Sequence, residues 1–336
     1  MGMKTEKALA ICKLTRHQYY YKPKAGKAGA KASTQTLKLS DKGVKELVDN
    51  RMVVDEMISI KQHPDTDYGY RATTAALQLL GYIINHKKVY RLMKAYQLLH
   101  EKRPKAKRNY VKYRSVNPTA PLQVLEMDIK FQWVNEHRRF AFIISVIDCF
   151  TRYVLAWRVA YSIKQTQVKD LWQGIIIQYL QPNDLLNKPI DIELRNDNDS
   201  RFVAKSVQQY FEDNHINQVF THPYTPQENG HIESFHAILG RSLAPFDFNT
   251  ITQLEEHLNQ FYHTYNNVRL HGSLDHLSPS LFWKLWNEDL IERIEKPNHK
   301  IRFRLKIPHY QLSGNSILTS SSTYSSTSCI KNQLVQ

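Results

Sequence analysis

Leu125-Glu126-Met127-Asp128-Ile129-Lys130 sets an acid in the middle of a β-rich run that extends from Val124 to Val134. An acid in a core strand is costly unless something neutralises it, so Asp128 needs a reason to be there. Lys130, two residues on, shares its strand face and either neutralises a phosphate or pairs with a neighbouring acid. Working outward, Phe140–Asp148 and Tyr153–Val159 are two more β-rich runs with short connections, which predicts an antiparallel meander. An apolar helix is expected over 164–180, a short strand over 190–194, a helix over 204–213 and a short strand near Val219-Phe220. A long helix follows Pro226, with the proline in the first turn, where it is tolerated. The order β-β-β-α-β-α-β-α makes the fold class α/β, a mixed five-stranded sheet flanked by helices.

Upstream the pattern is helical. Residues 41–62 are expected to form a helix, with Val44, Leu47, Val48 and Met52 at three- and four-residue steps. Tyr68-Gly69-Tyr70-Arg71 opens a second helix that runs through Leu77 and Leu80 to Gly81. A third carries Val89, Leu92, Met93 and Tyr96 on one face and His86, Lys87, Lys88, Arg91 and Lys94 on the other. Two short helices about a glycine, the second basic, suggest a helix-turn-helix, with Lys87, Lys88 and Arg91 as DNA contacts. The expected domains are a basic N-terminal segment and linker (1–39), the helix-turn-helix domain (40–100), a basic linker (101–120), the α/β core (121–285) and a C-terminal extension (286–336). A short helix is expected to end near Tyr19-Tyr20-Tyr21, followed by a flexible basic linker over 23–35; the Ser- and Thr-rich tail from 311 is expected to be disordered.

Lys and Arg number 46 against 31 Asp and Glu, a net charge of +15 that favours a polyanionic partner, most simply nucleic acid. Cys12, Cys149 and Cys329 are far apart and form no CxxC pair, which argues against a cysteine-based zinc site and fits a reducing cytoplasm. No secretory signal is visible, and no apolar run is long enough to span a membrane.

Two further carboxylates join Asp128. Asp197 follows directly on the 190–194 strand, and ligand groups in such sheets collect at strand carboxyl ends. Glu233 lies on the long helix, and Asn229, four residues earlier, shares its face and is a candidate to orient it or to touch DNA. Hard oxygen ligands of this kind suit Mg²⁺ or Mn²⁺. Two such ions roughly 3.5–4 Å apart can clamp an in-line displacement at phosphorus. Asp128, on a central strand, is best placed to bridge them.

The text around these acids resembles the larger-frame (OrfB-type) transposases of insertion sequences, which have a retroviral-integrase-like DDE core. The resemblance runs from about Tyr68 to Trp283. It rests on Tyr68-Gly69-Tyr70-Arg71, Asp128, the Asn196-Asp197-x-x-Ser200-x-Phe202 element, the Pro226-x-x-Asn229-x-x-x-Glu233-Ser234 element, Tyr265-Asn266-Asn267-Val268-Arg269-Leu270-His271 and Ser278-Pro279. It implies an RNase H-like fold preceded by a small all-α helix-turn-helix domain. It also implies a bacterial, DNA-associated enzyme that hydrolyses a phosphodiester to expose a 3′-OH at the element end and then transfers that strand, with Asp128, Asp197 and Glu233 holding two Mg²⁺ or Mn²⁺ ions. The implied partners are double-stranded DNA, a smaller OrfA-type helix-turn-helix protein and further copies of the chain on DNA. His236, Arg241, Arg269 and His271 join Lys130 and Asn229 as candidate DNA contacts. Three positions depart from the family's pattern: Gly240 where Lys or Arg is usual, Asp199 where Gly is usual, and Leu125 where Trp is often found. Arg241, one residue late, would sit about 100° further round the helix. Two other readings share the fold: an RNase H-type nuclease, and a decayed transposase that only binds DNA.

Overall fold

The computed structural model describes residues 3–22, 32–40, 43–101, 116–185, 192–221, 229–297 and 300–313. The basic run 102–115 and the tail beyond 313, both expected from the sequence, lie outside these residues. The chain divides into two units, residues 1–35 and 36–336. The first holds α1 (Thr5–Ile11) and α2 (Arg16–Tyr20). A reciprocal box starts α2, in which the Thr15 hydroxyl accepts from the Gln18 amide and Gln18 Oε1 accepts from the Thr15 amide.

The second unit opens with β1 (Gln35–Leu39), β2 (Lys45–Asp49), α3 (Asn50–Gln62), α4 (Tyr70–Leu79), β3 (Tyr82–Ile83) and α5 (His86–Ala95). The expected helix over 41–62 therefore begins only at Asn50. The Asp49 carboxylate caps it by accepting from the Arg51 amide at 2.7 Å, and Val44 and Leu47 before the cap are exposed. Val53, Val54, Met57, Leu77, Val89 and Met93 close one small core. The domain is not purely helical, because β1 pairs with β2 and, antiparallel, with β3. Gly81 makes that pairing possible. Its φ is +89°, and a Cβ there would lie 2.5 Å from the Leu39 carbonyl oxygen.

The α/β core follows: β4 (Val124–Val134), β5 (Arg139–Asp148), β6 (Val154–Ala160), α6 (Gln165–Ile175), β7 (Ile192–Asn196), α7 (Lys205–Asp213), β8 (Ile216–Phe220) and α8 (Gly230–Leu243). The sheet order is β6-β5-β4-β7-β8; β4, β5 and β6 are antiparallel, while β7 pairs parallel with β4 and β8. This is the mixed five-stranded, RNase H-like arrangement expected. Strand alternation divides β4 between two layers. Leu125, Met127 and Ile129 face Trp172 of α6 and Phe211 of α7. Val134, on the opposite face, packs with Phe235 and Leu239 of α8. The long helix expected after Pro226 is described only from Gly230, and Pro226 itself lies outside the described residues.

α9 (Ile251–Asn267) completes the layer of α8, with Tyr262 stacked on Trp157 at 4.5 Å. α10 (Pro279–Asn287), β9 (Ile291–Lys296) and β10 (Lys300–Leu305) form a last cluster around Phe150, Phe282 and Phe303. Trp283 lies edge-on to Tyr153 and Trp286 edge-on to Phe150, as expected of a helix packed on the core. Among the described residues no helix is long and apolar enough to cross a membrane.

Candidate active site

Three elements converge. Asp128 sits on the α8-facing side of β4, Asp197 directly after β7, and Glu233 in the first turn of α8. Asp197 and Glu233 are exposed, and the Asp128 side chain is 26% exposed, so all three can be reached from solvent. Partial burial raises the pKa of both Asp197 and Glu233, and the Asp128 charge raises both further. The three acids thus share one electrostatic neighbourhood, although their oxygens are not gathered as tightly as a single-ion cage.

The neighbouring residues divide in a way the sequence did not settle. His236, expected at phosphate, instead turns its Nδ1 to 3.2 Å from Asp128 Oδ2. Its Nε2 is buried without a partner among the described residues. Asn229 caps α8 by position but not by a side-chain hydrogen bond, and its Oδ1 is buried and unpartnered among the described residues. Asp199 does not face the acids freely. The Arg201 guanidinium grips it with Nε–Oδ1 at 2.7 Å and NH2–Oδ2 at 2.5 Å, which holds its carboxyl below the usual range. Arg241 is exposed in the last turn of α8.

Lys130 lies against the departure at Gly240. A Cβ at 240 would sit 3.3 Å from Lys130 Nζ, so the space a side chain would take there is filled by the strand lysine. Lys87 and Arg91 are exposed on α5 and Lys88 is half-buried.

Arg269 and His271 are both tied into the protein. Arg269 donates to the Asp65 carbonyl oxygen, and the Leu270 amide donates to the Tyr68 hydroxyl at 2.9 Å. The Tyr68 motif that opens the helix-turn-helix and the Arg269 motif therefore hold that region against the core. The His271 ring is edge-on to Tyr265 at 4.9 Å, with its Nε2 buried, and burial first, then the Arg269 charge, pull its pKa down to about 3. A neutral imidazole packed in this way has little charge to offer a phosphate.

Sequence reasoning passed over Glu126. It is fully buried, two residues before Asp128 and on the same strand face. Its Oε2 accepts from the Ile232 amide at 2.7 Å, and burial pushes its pKa up to about 7. Its signal was there to be read, because the cost of an acid in a core strand applies to it as much as to Asp128. Glu126, Cys149 and His231 also bring ligand atoms within 4.8 Å of one another. The charges of Arg152 and Arg195 bear on Glu126 and His231 alike, and two guanidinium groups work against a cation at that spot.

Family models agree with this architecture. Residues 118–226 and 214–279 match two integrase core domain models, and residues 49–107 match an HTH-like domain. The chain is 28% identical over 224 residues to InsK, the transposase candidate of insertion sequence element IS150 in Escherichia coli K12, covering 63% of this chain and 76% of that protein. It is 26% identical over 217 residues to an uncharacterized protein of insertion element IS476 from Xanthomonas euvesicatoria. Together the integrase core and HTH-like matches and these insertion-element relatives support an insertion-sequence transposase with an integrase-like core. The IS476 match covers 64% of this chain and 60% of its relative. Among solved structures, the chain is similar to the catalytic core domain of BIV integrase (20% identical, 50% of this chain, 97% of that one, TM-score 0.37). It is also similar to the catalytic domain of Mos1 mariner transposase (13% identical, 48% of this chain, 74% of that one, TM-score 0.38).

Proposed function

We propose that the chain cuts and joins DNA at insertion-sequence ends, with Asp128, Asp197 and Glu233 as the carboxylates that hold two Mg²⁺ or Mn²⁺ ions. The observation that carries this reading is the mutual charge of the three acids, supplied by a central strand, a strand end and a helix. Two exposed carboxyl groups whose charge is disfavoured by partial burial and by the Asp128 charge gain from a cation placed between them. Their oxygens are hard donors, which fits Mg²⁺ or Mn²⁺. Bound there, the ions would lower the pKa of the attacking water or 3′-hydroxyl and steady the leaving oxygen. Asp128, whose charge reaches both other acids, is the residue to bridge. His236, in the second turn of α8, faces it.

Lys130 is the proposed phosphate contact nearest the acids. The family's usual base on the helix is missing at Gly240, and a lysine from β4 puts its ammonium in the same space. Arg241, with Lys87, Lys88 and Arg91 on α5, extends the proposed contact to duplex DNA. The net charge of +15 supports such a partner. A smaller OrfA-type protein and further copies of the chain complete the proposed assembly.

The test is cleavage of a duplex that carries the element's own terminal repeats. Nicking at the 3′ end and strand transfer are expected with Mg²⁺ or Mn²⁺ and not with EDTA, and both should vanish in Asp128→Asn. Cleavage of RNA–DNA hybrids with the duplex left intact would instead favour a nuclease.

A further inference from the structure

The even-numbered residues of β4 meet α8 at every fourth position. Glu126 accepts from the Ile232 amide at 2.7 Å, Asp128 faces His236 at 3.2 Å, and Lys130 lies over Gly240. The match is geometric: two strand residues advance about 6.7 Å and four helical residues about 6.0 Å. Asp128 is thus one of three rungs between a strand and the helix that bears Glu233. Only the first rung ties a buried charged group to the helix backbone. Asn229, at the N-cap of α8, makes no side-chain cap, so Glu126 supplies from outside the helix the acceptor its own cap residue does not.

We infer that Glu126 is a positioning residue for the metal-binding carboxylates: by holding the amide of Ile232 it sets where Glu233, the next residue, stands relative to Asp128. The inference rests on the three-acid reading for its purpose but not for its geometry. Glu126 and Asp128 are fixed to each other by one strand, Ile232 and Glu233 by one helical turn, and the Glu126–Ile232 bond closes the loop between the two pairs. Glu126 is buried and does not itself reach solvent or substrate, so it acts through α8. Its second oxygen, Oε1, is buried, with the Cys149 thiol and the His231 ring close by. A glutamine in its place keeps an acceptor for Ile232 and turns its amide group toward those two side chains.

Three variants of the full chain separate positioning from mere stability. Glu126→Gln keeps the acceptor without the charge, Glu126→Asp keeps the charge but draws the acceptor back by one methylene, and Glu126→Ala removes both. The first readout is hydrogen exchange of the segment 229–236, which needs no metal. It is expected to quicken at least about tenfold in the Asp and Ala variants and to stay near wild type in Gln. The second is Mn²⁺ affinity, followed by the electron-paramagnetic signal of the free ion. It should weaken about tenfold in Asp and Ala and recover to within about threefold in Gln. Should the Ala variant fail to fold, the Asp and Gln pair decides alone. Unchanged exchange in 229–236, or unchanged Mn²⁺ affinity in variants whose exchange has risen, overturns the inference. A wild-type chain that binds no Mn²⁺ removes the three-acid reading, and hydrogen exchange then still decides whether Glu126 holds the helix.

Discussion

Asp148 and Asp128 lie on neighbouring strands of one sheet and live in opposite ways. Asp148 is fully buried and accepts four hydrogen bonds, from the amides of Leu122, Phe150 and Thr151 and from the Thr151 hydroxyl at 2.6 Å. Its lone pairs are used up in joining the start of β4 to the turn after β5. Asp128 accepts from the amide of Ile129 next to it and faces His236, and it remains partly open to solvent. A carboxylate whose oxygens are satisfied by backbone is a structural joint. One left short of donors, beside two others in the same state, still has lone pairs for a ligand.

That contrast can be broken, and the largest effect should come from the unsatisfied acid. Asp128→Asn is expected to lower DNA cleavage at least about a thousandfold, equivalent to ~4 kcal/mol on the barrier, with the thermal unfolding midpoint close to wild type. Near-normal turnover in that variant would end the comparison. Asp148→Ala should do the reverse. It leaves buried amides without an acceptor and costs about 3 kcal/mol or more, measured by urea unfolding. Lost cleavage at unchanged stability would mean that Asp148 has been misread.

A third test uses burial on the imidazole side. His271 is held neutral in the fold, with its pKa pulled down to about 3, while in the unfolded chain it titrates near 6.5. Between those values the unfolded state binds the proton and the native state does not. The stabilising term is therefore whole above pH 6.5 and is lost as pH falls toward 3, at no more than about 1.4 kcal/mol per pH unit. His271→Phe should flatten the acid limb of the stability curve, as followed by denaturant unfolding at several pH values. An unaltered slope would place the titration elsewhere. The smallest effect is expected at Arg201→Ala, which frees Asp199 near Asp197. Stability should change by about 1 kcal/mol or less. Mn²⁺ binding should tighten by no more than about threefold, ~0.7 kcal/mol. A larger gain would make Asp199 a ligand kept in reserve.

Much of this molecule could be read from its residues one stretch at a time. The meander from β4 to β6 announced itself through branched and aromatic residues, and the core helices through their apolar steps. Asp128 stood out because an acid inside a strand has no cheap explanation. The reading slipped where local signals compete. Val44 and Leu47 keep helical spacing, yet Lys45–Asp49 pairs as β2 and Asp49 caps the helix behind it, so α3 starts at Asn50. β1 and β3 are too short to be seen by pattern, and they exist because Gly81 lets one backbone approach the other. Glu126 carries the same signal as Asp128, an acid inside a core strand.

The sequence by itself determined which face of β4 is apolar, which acids stand at a strand's middle, a strand's end and a helix's start, and that the chain is strongly cationic. Those properties follow from side-chain period and composition, which are local. Tertiary structure alone decided that Lys130 fills the space above Gly240, that Glu126 grips the amide before Glu233, and that Arg269 binds the helix-turn-helix region. Each of these joins residues from different elements, and such pairings depend on how the chain folds back on itself, which no single stretch of sequence encodes.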